Sequence, residues 1–314
     1  MAALSDMTVI GIFGPTSSGK SHLALAMAQK LGAEIVNCDS LQVYQGLDIG
    51  TAKPTKKELA MVPHHLISHV PLGEAYAAGQ FARDALEILK KRSHVGQKLF
   101  FLVGGSGFYA QALIKGTYPV AASDPKKRAE LEEEARLKGL ATLFEELETR
   151  DSQYAKKIGP QDRHRIIRAL EILRHEKFQT FSEIEETIAS RKPPFSFASV
   201  GTFKTRESLR RALDLRTKTM LRQGFIDEVK GLVEQGYHDW SPLQSVGYAE
   251  VLEFLDGQIP SEEQLIEAIV TSSMQLAKRQ MTWFRRDAET VWFDTDREQE
   301  AACQKIEELA KILL

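Results

Sequence analysis

The chain has 314 residues, 43% of them hydrophobic and 27% charged, which suits one large domain or a domain carrying an insertion. Its 41 basic and 43 acidic side chains leave a net charge of -2, so the overall balance gives no sign of a nucleic-acid partner. Two cysteines far apart, Cys38 and Cys303, exclude a cysteine zinc site, and with no signal-like start and no apolar run of about 18 residues the expectation is a soluble cytoplasmic protein with no membrane partner.

Thr8 to Phe13 reads as a buried strand, and it runs into Gly14-Pro15-Thr16-Ser17-Ser18-Gly19-Lys20-Ser21. That stretch matches G-x-x-x-x-G-K-[ST] at every defined position, and Ser21 to Leu31 has the apolar spacing of the helix that must follow. Amides at the helix start, the positive end of its dipole and the Lys20 ammonium then converge on one anion, a phosphate or pyrophosphate. A second strand, Glu34 to Cys38, ends at Asp39-Ser40. A helix around Gln80 to Lys91 leads to a third strand, Lys98 to Val103, which ends at Gly104-Gly105-Ser106-Gly107. The alternation predicts an α/β fold: a P-loop NTPase-like parallel sheet flanked by helices. The phosphate loop, Asp39 and Ser106 all fall at carboxyl ends of strands, where such sheets bind ligands.

From about Thr117 the character changes. Pro119 and Pro125 punctuate the chain, and helical patterns run from Lys126 to about Ala189 before Pro193-Pro194. Phe197 to Phe203 reads as a strand returning to the sheet. The expected organisation is a catalytic core of residues 1–116 and 196–314 with an all-helical insertion at 117–195. Helices follow at Glu207 to Glu234 and Glu262 to Arg286, then a short strand at Thr290 to Phe293 and a last helix at Glu298 to Leu314. Basic residues gather in three blocks: Lys156, Lys157, Arg163, Arg165, Arg168, Arg174 and Lys177; then Lys204, Arg206, Arg210, Arg211, Arg216, Lys218 and Arg222; then Lys278, Arg279, Arg285 and Arg286. Each block alone fits a solvated helix face, but three beside a pyrophosphate site tilt toward a polyanionic partner such as nucleic acid.

Asp39 would face the ligand, where a carboxylate can accept a proton or hold a metal through water, or it caps the next turn. The Ser21 hydroxyl is the usual ligand for Mg²⁺ bridging phosphate oxygens. A P-loop NTPase also needs a strand ending in an acidic magnesium anchor, and the strand ending at Val103 has none, which weakens an ATPase reading. His64, His65 and His69 lack the spacing and partners of a metal site. Trp283 and Trp292 read as core, and Phe108 and Tyr109 as core or a stacking wall.

Beyond GPTSSGKS, the chain carries CDSLQVYQGLDIGTAKP (Cys38 to Pro54), LVGGSGFY (Leu102 to Tyr109) and DRHRIIRALEI (Asp162 to Ile172). SVGYAEV (Ser245 to Val251) and QLAKRQMTWFRR (Gln275 to Arg286) follow. In order and extent these blocks resemble the tRNA dimethylallyltransferases, in their bacterial form, since no Cys/His zinc module of the eukaryotic type is present. The resemblance implies that the loop Gly14, Pro15, Thr16, Ser17, Ser18, Gly19, Lys20 and Ser21 holds the diphosphate of dimethylallyl diphosphate, with Mg²⁺ on Ser21. It makes Asp39 the general base or the acceptor that orients the adenine amine. Ser106, in place of a threonine common in the family, would bond the target base, and Arg216 would clamp the diphosphate beside Lys20. Ser40, Leu41 and Gln42 would line the cavity for the flipped base. Arg128, the segment His164, Arg165, Ile166, Ile167 and Arg168, and the segment from Lys278, Arg279 and Gln280 through Trp283 to Arg285 would contact the tRNA anticodon stem-loop.

Gly159, Gln161, Ala212 and Ala249 depart from the family pattern and soften individual contacts. The expected enzyme is a monomeric, cytoplasmic, Mg²⁺-dependent tRNA prenyltransferase. The competing readings are a small-molecule kinase or NTPase, which lacks its acidic anchor here, and a non-catalytic RNA-binding switch, which leaves Asp39 and Ser106 unexplained.

Overall fold

The structure, a computed structural model, describes residues 4–116, 124–175 and 180–314; Thr117, Pro119 and Lys177, used in the sequence reading, lie outside them. Thr8–Phe13 forms a strand (β1) buried at all six positions. An apolar run without alternation needs cover on both faces, as a central parallel strand has. The helix Lys20–Leu31 (α1) and the strand Glu34–Asn37 (β2) follow, then Lys56–Met61 (α2), the edge strand His64–His65 (β3), Ala78–Ser93 (α3), Leu99–Gly104 (β4) and Gly107–Ile114 (α4). Helices α5 to α9 are Pro125–Lys138, Leu140–Arg150, Ser152–Ile158, Arg163–His175 and Phe181–Ala189. The chain returns through Ser196–Phe203 (β5), Arg206–Arg222 (α10), Phe225–Glu234 (α11), Tyr248–Leu255 (α12), Glu262–Phe284 (α13), Val291–Asp294 (β6) and Gln299–Leu313 (α14). The helical run expected at Glu207 to Glu234 is broken at Gly224, whose φ of 97° starts α11 afresh.

Among the described residues the strands form one sheet in the order β3-β2-β4-β1-β5-β6, with every pairing parallel. The residues of β1 alternate between two cores. Ile10 and Ile12 join Phe101 and Val103 under α1 and α14, while Val9 and Phe13 join Phe100 and Leu102 on the opposite face. That second face is closed by apolar residues of α3, α4, α11, α12 and α13. No helix of the described residues is long and apolar enough to cross a membrane.

Contacts gather into two compact units, residues 1–114 with 193–314, and residues 115–192. The second unit packs α5 to α9 around Leu143, Leu147, Ile166, Ile167, Leu170 and Ile184. Its buried Asp151 ties two helices: Oδ1 accepts the Tyr154 amide at 2.9 Å and Oδ2 accepts the Ser182 amide at 2.8 Å.

At the carboxyl edge, β4 passes so close to β2 that a Cβ on Gly104 would lie 1.9 Å from the Cys38 carbonyl oxygen. Backbone cannot yield as a flexible side chain can. Gly104→Ala is therefore expected to lower stability by roughly 2–3 kcal/mol, seen as a fall in the urea midpoint at unchanged slope.

Candidate active site

Because all strands point the same way, their carboxyl ends bring together segments distant in sequence: residues 14–21 after β1, Asp39 after β2, Gly104-Gly105-Ser106 after β4 and Thr295 after β6. The loop turns into α1 at Gly19, which has φ 88° and no side-chain cap. Among the described residues the amides of Ser17, Gly19, Lys20 and Ser21 have no protein acceptor, and the buried Ser17 hydroxyl has no partner either. Unpaired donors at a helix start are what an anion requires.

The loop is braced from several sides. Gln280, on α13, accepts the Thr16 amide through Oε1 and donates from Nε2 to the Gly105 carbonyl, both at 3.0 Å. Thr295 donates to the Ser18 carbonyl at 2.8 Å, and the Thr202 and Ser18 hydroxyls lie 2.7 Å apart. Sequence reasoning missed Thr202 and Thr295. The available signal was a polar residue at the carboxyl end of each strand beside the loop.

One pocket collects Thr16, Lys20, Ser21, Asp39, Arg216 and Gln280. The Lys20 ammonium donates to the Pro15 carbonyl at 3.1 Å, and Arg216 donates to the Thr16 hydroxyl at 2.9 Å. Burial pushes Lys20 down to about 8, with Asp39 opposing the fall and Arg216 adding to it. Burial also lowers Arg216, again opposed by Asp39. Two cations thus face a single carboxylate.

Asp39 fits both of its readings. Its Oδ1 caps the next turn, accepting the amides of Leu41 at 2.9 Å and Gln42 at 3.3 Å. Its Oδ2 has no hydrogen bond among the described residues, and the side chain lines the pocket. Leu41 and Gln42 line it too, with Gln42 Nε2 donating to the Thr51 carbonyl at 3.1 Å. Ser106 stands behind them: its hydroxyl accepts the Ser40 amide at 2.9 Å and donates to the Ser40 hydroxyl at 3.2 Å.

Gly50, Thr51 and Ala52 also line the pocket, and one carboxylate holds their loop. Glu228 on α11 accepts the amides of Asp48, Ile49 and Gly50 at 2.9, 2.7 and 3.1 Å, and the Tyr248 hydroxyl at 2.7 Å. Sequence reading missed Glu228, although Tyr248 lies within the quoted SVGYAEV.

Of the residues expected at tRNA, Ile166 and Ile167 are fully buried in the helical unit's core, so their side chains cannot meet a nucleic acid. On the same helix His164 and Arg165 are exposed, while Arg168 lies 2.8 Å from Glu171, and Arg128 lies 3.9 Å from Glu132. The second basic block is largely ion-paired: Lys204 with Asp296, Arg210 with Glu267, Arg211 with Glu207 and Lys218 with Asp214. From that block Arg216 lines the pocket. The third block differs. Among the described residues Lys278, Arg279, Arg285 and Arg286 are exposed and have no acidic partner.

His65 bonds Glu34 at 2.7 Å and His64 bonds the Val62 carbonyl at 2.7 Å. Among the described residues no group of three His, Cys, Asp or Glu side chains could hold a metal. The exposed Ser21 hydroxyl, without a hydrogen bond among those residues, instead suits Mg²⁺ carried on phosphate oxygens and water.

A parallel sheet of this order, with a G-x-x-x-x-G-K-[ST] loop between the strand Thr8–Phe13 and the first helix, defines an α/β protein of the P-loop type. The sequence model of the family described as IPP transferase matches residues 42–287, and the chain belongs to that family. It is 43% identical over 289 residues to the tRNA dimethylallyltransferase of Bdellovibrio bacteriovorus, covering 91% of this chain and 92% of that one. The tRNA isopentenylpyrophosphate transferase of Staphylococcus epidermidis has a similar structure, with TM-score 0.69, 33% identity and coverage of 97% and 99%. A eukaryotic dimethylallyltransferase acting on tRNA is similar at TM-score 0.78 and 27% identity, covering 96% of this chain and 77% of that one.

An anion entering the site favours the ammonium form of Lys20 and raises its pKa above about 8. Binding inorganic diphosphate at pH 8.5 should therefore take up a fraction of a proton on Lys20, and at pH 7 almost none. Calorimetry in buffers of different ionisation enthalpy measures this, with Lys20→Arg, whose charge is fixed, expected to lack that uptake.

Proposed function

We propose that this protein is a tRNA dimethylallyltransferase. It transfers the dimethylallyl group from dimethylallyl diphosphate to the exocyclic N6 of the adenine 3′ of the anticodon, in tRNAs reading codons that start with U. The observation that carries this reading is the pairing of two cations and unpaired loop amides with one free carboxylate oxygen across a single pocket, at a loop with no acidic anchor after β4. Such a site grips a leaving diphosphate and offers a proton acceptor to an incoming nucleophile.

The target adenine leaves its stack, which costs a few kcal/mol, less in an anticodon loop that is already partly unstacked. Its N6 attacks the allylic carbon that bears oxygen; an N–C bond forms, the C–O bond breaks and the electron pair departs on diphosphate. Asp39, through Oδ2, takes the N6 proton, so the products are the N6-dimethylallyl adenosine and diphosphate. Lys20, Arg216 and the loop amides meet the charge that develops on the leaving group, in place before the reaction begins. Ser21 would hold Mg²⁺, which would supply charge neutralisation at the leaving group when bound. Ser106 fixes Ser40 at the mouth of the base cavity.

Arg128, His164 and Arg165 of the helical unit, and the Lys278 to Arg285 segment at the end of α13, contact the anticodon stem-loop. The enzyme works as a cytoplasmic monomer. Incubation with labelled dimethylallyl diphosphate and unmodified tRNA tests the assignment: label must appear in the tRNA. Hydrolysis of ATP with unlabelled tRNA would favour a kinase or NTPase instead. Asp39→Ala is expected to cut turnover by about 100-fold or more with diphosphate affinity kept; near-normal turnover removes Asp39 as the base.

A further inference from the structure

Phe108 is a large apolar side chain left 55% exposed, at the first turn of α4 and two residues beyond Ser106. Its ring lies 4.5 Å from that of Trp283, tilted by 38°. The Arg286 guanidinium sits 5.1 Å from the Trp283 ring, so a phenyl ring, an indole and a cation follow one another. The arrangement is built into the chain. Gly107 admits the indole, since a Cβ there would lie 2.0 Å from Trp283 Cδ1. Trp283 also lies nearly one helical turn beyond Gln280, the residue that braces the phosphate loop and lines the pocket. Close by in the chain, Lys278, Arg279 and Arg285 have no acidic partner among the described residues, and Arg285 lies 6.0 Å from the Trp292 ring.

An exposed aromatic ring backed by an indole and a cation matches a nucleobase on a phosphate backbone in both shape and charge. We infer that Phe108, backed by Trp283 and Arg286, is a stacking platform for an unpaired RNA base next to the one that enters the pocket. The inference rests on the tRNA reading above. When the target adenine leaves the anticodon loop, its neighbour loses a stacking face, and Phe108, four residues past the pocket-lining Gly104, supplies one. The ring recognises any base, so the platform adds affinity and holds the loop open without reading sequence.

The test measures prenyl transfer from dimethylallyl diphosphate to an unmodified anticodon stem-loop RNA by the whole protein. Phe108→Ala is expected to raise KM for the RNA about tenfold, the size of one lost base stack, with affinity for dimethylallyl diphosphate unchanged. Phe108→Leu, equally apolar but without an aromatic face, should resemble Phe108→Ala, whereas Phe108→Tyr should restore the wild-type value. With 2-aminopurine beside the target adenine, RNA binding should quench its fluorescence in the wild type and much less in Phe108→Leu. If Phe108→Leu keeps the wild-type KM and quenching, the ring only covers the protein's own surface and the platform is wrong. Absence of label in RNA with the wild-type protein overturns the tRNA reading itself, and the platform's ligand with it; label with unchanged variants overturns the platform alone.

Discussion

Two cations, Lys20 and Arg216, share one partly desolvated pocket with a single compensating carboxylate. Burial lowers both, and Arg216 adds to the fall of Lys20 to about 8. An arrangement of this kind stores unfavourable electrostatic energy in the absence of an anion and releases it when one arrives. The rest of the structure keeps the two charges from drifting apart. If they relaxed into water before binding, stabilisation of the leaving group would have to be built anew in every turnover.

The bracing is long-range. Gln280 and Thr295 fix the loop backbone from the last 35 residues of the chain, and Thr202 supports it from β5. Glu228 holds the Asp48 to Ala52 loop through three amides and the Tyr248 hydroxyl. Hydrogen bonds from backbone amides to a carboxylate are among the stronger ones in proteins. The Thr51 carbonyl in that loop receives both Gln42 and Arg216, so the position of one cation depends on the same clasp.

How much of this was legible in the sequence depends on range. The phosphate loop, β1 and α1 are local patterns, since motif, apolar run and helical spacing all sit within 24 residues. Asp39 and Ser106 could be placed on one rim because a parallel sheet puts every strand's carboxyl end at the same edge. The two-residue strand at His64–His65 carried no periodicity to read, and its histidines turned out to bond Glu34 and a carbonyl. In the second basic block the sequence shows the local pairs Arg211–Glu207 and Lys218–Asp214 but not the distant ones. Arg210 finds Glu267 on another helix, 57 positions away. Ile166 and Ile167 entered the tRNA segment by resemblance, while their apolar character already pointed to the core they occupy. Glu228 had no local signature at all, as its meaning comes entirely from where the fold brings it.

The order in which these parts leave the ribosome sets a limit on when the site can exist. The phosphate loop lies within the first 21 residues, yet β1 acquires its second neighbour only with residues 196–203, and the loop its last braces only with Gln280 and Thr295. A nascent chain carries the most recognisable motif from the beginning of synthesis and can use it only near the end. A chain stopped before Gln280 carries the motif without the Gln280 and Thr295 braces.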